Sequence, residues 1–154
     1  MPAMSLEEML RSSLEGVNRA FQEADKALHS EVSSTNDALA KISGGVVQAK
    51  LDLFREDEDG LSYRFLLEAG RGRTVPLGAF RVSLKGFPIL FGPDVTSVER
   101  GDFLEAIGDP SQLMAFFHKM ASNPDSPLIQ KVAYLMRKKS DTDRKNRSDP
   151  EIPF

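Results

Sequence analysis

The chain has 154 residues, 40% of them hydrophobic and 28% charged, with a net charge of -3; that is enough for one domain with a real core plus extensions. The small negative balance excludes a protein that coats duplex DNA by bulk charge, but leaves open single-strand binding on one basic face. The absence of cysteine excludes disulfides, thiolate metal sites and thiol nucleophiles, and no apolar run nears the length of a membrane helix. The first residues, MPAMSLEEML, carry acids where a signal peptide carries bases, so a cytoplasmic location is expected.

Ser5 and Glu8 form a capping-box pattern ahead of an apolar repeat that begins at Leu6. Leu10, Leu14, Val17, Phe21, Ala24 and Leu28 follow at three- and four-residue steps, the stripe of a long amphipathic helix. It stumbles at Glu31, resumes at Val32 and stops at Gly44-Gly45; Ser33–Asn36 is weak in helix propensity and is the one place for a break. At about 1.5 Å per residue such a helix is longer than a small domain is wide. It must lie across a sheet and project, or pair with another copy. Leu10, Leu14, Val17, Phe21 and Leu28 are the candidate oligomerisation residues under the second reading.

The period then changes to two. Val47, Ala49, Leu51 and Leu53 alternate with polar residues, the acidic Glu56–Gly60 segment closes a hairpin, and Leu61, Tyr63, Phe65, Leu67 and Ala69 alternate on the return. Gly70–Arg73 reads as a loop, Phe80, Val82 and Leu84 as a third strand, and Phe87–Phe91 as a short edge strand, since Pro88 cannot donate to a central ladder. Residues 102–107 read as a short turn of helix. Asp109-Pro110 and Ser126-Pro127 then start two helices, with apolar faces at Leu113, Phe116, Phe117 and Met120 and at Leu128, Ile129, Val132, Leu135 and Met136. The expected fold is therefore α+β: a long N-terminal helix over residues 1–43, an antiparallel three- to four-stranded meander with two to three C-terminal helices over 44–139, and a disordered tail over 140–154.

Little in this chain suggests catalysis. His29 and His118 are far apart with no metal-ligand spacing, the acidic turn lacks the alternation of a calcium loop, and no serine sits in a nucleophile elbow. No cofactor and no metal are expected. If Tyr63, Phe65, Phe80 and Val82 face the core, the opposite sheet face carries Lys50, Arg64, Arg81 and Lys85, with Arg71 and Arg73 in the adjoining loop. Such a face could follow a single-strand backbone, or be an ordinary solvated surface. The alternation puts one aromatic, Phe54, on that face for base stacking. The basic run Arg137-Lys138-Lys139 with Arg144, Lys145 and Arg147 could also touch phosphates.

The chain ends in Asp149-Pro150-Glu151-Ile152-Pro153-Phe154, its last three residues mostly apolar after a hydrophilic run that has no folding reason to finish that way. Asp149, Glu151, Ile152, Pro153 and Phe154 resemble the C-terminal tip of bacterial single-stranded-DNA-binding proteins, where acids run into Ile-Pro-Phe. Pro150 departs from that pattern by interrupting the acids. The resemblance covers only these last residues and carries no implication for the fold. It implies recruitment of replication, recombination and repair enzymes whose pockets take the terminal Phe while basic side chains hold its carboxylate. Two functions follow from the whole reading. One is a non-enzymatic accessory of DNA replication, recombination or repair that docks its enzymes through this tip and holds single-stranded DNA on the basic face. The other is an oligomeric adaptor assembled through the N-terminal helix with no nucleic-acid role.

Overall fold

Ser5 starts the first helix as expected, its hydroxyl accepting from the Glu8 amide at 3.2 Å. The computed structural model describes residues 4–70 and 72–148. Helix α1, Leu6–Ser43, is 38 residues long and unbroken, about 57 Å from end to end. The Ser33–Asn36 stretch stays helical because its polar side chains are used locally. Thr35 donates to the Glu31 carbonyl at 2.9 Å, and Asn36 Oδ1 accepts from the Ala49 amide of the first strand at 2.9 Å. Gly44, in the left-handed region at φ 64°, ends the helix.

Five strands follow, β1 Val47–Asp57, β2 Gly60–Ala69, β3 Arg73–Ser83, β4 Gly86–Gly92 and β5 Glu105–Ile107, with helices α2 Val95–Glu99, α3 Pro110–Ser122 and α4 Pro127–Ser148. The strands form one antiparallel meander in chain order. The β1–β2 turn needs Gly60, because a Cβ there would lie 2.1 Å from the Val82 carbonyl oxygen.

One sheet face is apolar and carries the core. Val47, Phe65, Leu67, Phe80, Val82 and Ile89 are fully buried there against Ala24, Leu28, Val32 and Leu39 of α1 and Leu113 and Phe117 of α3. Phe65, Phe80, Phe91, Phe116 and Phe117 interlock with ring centroids 4.9 to 6.0 Å apart, which fastens α3 to β2, β3 and β4. Leu128, Val132 and Leu135 of α4 complete this layer.

Three expectations are corrected. The helical turn over residues 102–107 is strand β5, pairing Ile89 with Ile107 and Phe91 with Glu105. Glu105-Ala106 has helical propensity, but burying Ile107 on the free edge of β4 outweighs it. β4 is therefore an inner strand, and Pro88 is accommodated because β5 pairs only with Ile89–Phe91. Lastly, α4 does not end at Lys139 but stays helical to Ser148, since a nucleated helix extends at one hydrogen bond per residue. Residues 149–154, and with them the whole terminal tip, lie outside the described residues.

Candidate functional site

Pairing register defines the outer sheet face. Lys50 stands opposite Leu66, Asp52 opposite Arg64, and Arg55 opposite Ser62, which in turn pairs with Arg81. Lys50, Arg64 and Arg81 thus share one face, as the alternation required. Arg73 and Lys85 do not join them. Arg73 opens β3 and Lys85 follows its end, which separates them by roughly 30 Å at strand rise. Arg71 lies outside the described residues.

The charges on this face are largely matched. Arg81 donates to Asp57 Oδ1 and to the fully buried Ser62 hydroxyl, both at 2.7 Å. This bond to Arg81, helped by the Asp59 amide, lowers the Asp57 pKa to about 2. Lys50 lies 3.8 Å from Glu68, and Arg55 3.5 Å from Glu99 of α2. α2 itself sits on the β3–β4 half of the face, where Val95 and Val98 pack against Ala79 and Leu90. What stays open is the β1–β2 half.

There, a bulge between Leu53 and Arg55 turns Phe54 outward, 44% exposed. The Arg64 guanidinium carbon lies 4.6 Å from its ring centroid and that of Arg55 5.6 Å, a geometry of cation–π attraction. Phe54 with Arg64 stacked on its ring, flanked by Arg55 and Lys50 beside their carboxylate partners Glu99 and Glu68, makes a small π-cation patch, suited to a nucleobase. Sequence reasoning had Lys50, Arg64 and Phe54 but not Arg55, which the bulge moves onto this face.

A second polar cluster ties α1 to the sheet. Tyr63 donates to Asp25 Oδ1 at 2.6 Å and accepts from His29 Nε2 at 3.2 Å, with the His29 and Tyr63 rings edge to face. Burial first, then the bond to Asp25, raises the Tyr63 pKa above its usual value. A phenol held protonated, with its proton already donated to a carboxylate, is a tether and not a base. The Asp25–His29 spacing of four on one helix was the available signal for this cluster. Among the described residues, no group of three or more His, Asp or Glu is placed to hold a metal ion, and no helix is long and apolar enough to cross a membrane.

The candidate oligomerisation stripe divides in two. Every residue from 4 to 19 is exposed, including Leu6 at 73%, Leu10 at 56%, Leu14 at 63% and Val17 at 47%. From Ala20 onward the helix is docked. Phe21 is half-buried and Leu28 fully buried against the sheet, so neither is available to a partner. The helix therefore lies across the sheet from Ala20 onward and projects beyond it over residues 6–19, the first of the two readings.

Comparison with protein-family models, curated proteins and solved structures found no match.

Proposed function

We propose that this protein is a non-enzymatic, cytoplasmic accessory of DNA replication, recombination or repair. Its terminal residues Asp149, Glu151, Ile152, Pro153 and Phe154 recruit genome-maintenance enzymes, and the Phe54–Arg64 patch holds single-stranded DNA. The carrying observation is the resemblance of these residues to the tip of bacterial single-stranded-DNA-binding proteins. A pocket that takes the Phe154 ring and binds its carboxylate with basic side chains is the partner this chemistry fits. The course of α4 is compatible with such a role. Among the residues whose burial is described, Leu135 is the last buried one of α4, and the helix continues to Ser148, about 20 Å further along its axis.

Two experiments test the parts separately. Immobilised protein incubated in a bacterial lysate should capture replication or repair enzymes, and deletion of Ile152-Pro153-Phe154 should abolish capture without changing the thermal melt. Equal capture by the deleted chain removes the recruitment reading. For DNA, oligo-dT should be retained at low salt and released as salt rises. Lys50→Glu with Arg64→Glu should abolish retention, and Phe54→Ala should weaken it by roughly five- to 150-fold, the loss of one stacked base. No retention by the native chain removes the DNA part.

A further inference from the structure

The exposed half of α1 presents a surface that folding leaves unused. Among the described residues nothing covers Leu6, Leu10, Leu14 or Val17, and a groove along the helix runs between the leucines and the side chains of Arg11 and Glu15. The arm begins where the body ends. A Cβ on Gly86, in the β3–β4 turn, would lie 2.5 Å from the Ala20 carbonyl oxygen, so this turn marks its root. The arm is thus about 21 Å long, and a contiguous apolar face of this kind marks an interaction site.

We infer that this arm pairs with the same arm of a second copy of the chain, antiparallel, about a two-fold axis near Ser12-Ser13. The argument is one of charge and length. Taking Leu14 as a seam position, Leu10 and Val17 fall on the same seam and Glu7 lies on it one turn further out. Parallel in-register pairing would stack Glu7 on Glu7. Antiparallel pairing sets Leu10 against Leu14 of the second copy and Val17 against its Glu7, whose carboxylate Arg11 of the same helix holds at 3.0 Å. The first turn of each α1 then reaches the root of the other arm, where exposed Leu84 and Lys85 of the β3–β4 turn meet the acidic Glu7 and Glu8. The uncovered length equals the overlap this pairing needs, residue 6 lying across from residue 18. The seam has four residues on each arm, Glu7, Leu10, Leu14 and Val17, few beside the roughly 20–30 residues a side of a standard interface, so a weak, reversible dimer is expected. This inference is independent of the terminal tip. Where both hold, each particle carries two tips, raising avidity for an enzyme with more than one pocket.

Sedimentation of the full chain across micromolar concentrations should show a monomer–dimer equilibrium. Leu10→Glu with Leu14→Glu should give a monomer whose thermal melt, measured at a concentration where the native chain is also monomeric, is unchanged, because neither side chain touches the core. Orientation is read by disulfide trapping, since the native chain has no cysteine. Glu7→Cys and Val17→Cys chains should cross-link when mixed and not when alone. A native chain that stays monomeric overturns the inference, as does a dimer that survives the double substitution. Cross-linking of each cysteine variant with itself but not with the other overturns the antiparallel arrangement.

Discussion

Tyr63 joins elements that the chain holds far apart, reaching from β2 to Asp25 and His29 on α1. Tyr63→Phe keeps the ring in the core and removes only the hydroxyl. It should lower the unfolding free energy by about 1 kcal/mol, read from urea denaturation, and leave oligo-dT binding unchanged. Asp57 makes a pH-dependent contribution. Its folded pKa is depressed from 3.8 to about 2, first by the Arg81 hydrogen bond. The stability it contributes is therefore fully present above the unfolded value and lost as pH falls from 3.8 toward 2. Asp57→Asn should flatten that part of the stability–pH curve, which unfolding melts in acid buffers would show. Arg81 was read from the sequence as a DNA-contacting cation. Alternation told which face it occupies, but not that Asp57, 24 residues earlier, would come round the hairpin to take its charge.

Among the elements, α1 is the one whose docking decides the shape of the chain. Gly86 at φ 89° passes so close to Ala20 that Gly86→Ala should cost about 1–3 kcal/mol from backbone strain alone, with further loss from lifting the helix. A lowered melting temperature, with the far-UV spectrum retained, is the expected result. The helix, the first hairpin and the inward set Tyr63, Phe65, Phe80 and Val82 were legible because each follows a strong local period over many residues. β5 was not, because three residues are too few to show a period and Glu105-Ala106 resembles helix. Nor was the division of the stripe at Ala20 legible. Leu14 and Leu28 obey the same repeat, and only the width of the sheet determines that one is covered and the other bare.

At the scale of the whole molecule, a packed α+β body carries a bare helical arm at one terminus and a helix running out toward the tip at the other. The sheet offers a small π-cation patch between them in sequence. Under the proposed function the body positions three interaction surfaces, the arm, the patch and the tip. The tip was the most specific functional signal in the sequence, and it lies outside the described residues. Its chemistry is therefore best tested free of the body. A synthetic peptide of residues 148–154 with a free terminal carboxylate should compete enzymes away from immobilised full-length protein. The same peptide ending in an amide, or with Phe154→Ala, should not. Equal competition by the amidated peptide, or none by the free acid at saturating concentration, would contradict recruitment through Phe154 and its carboxylate.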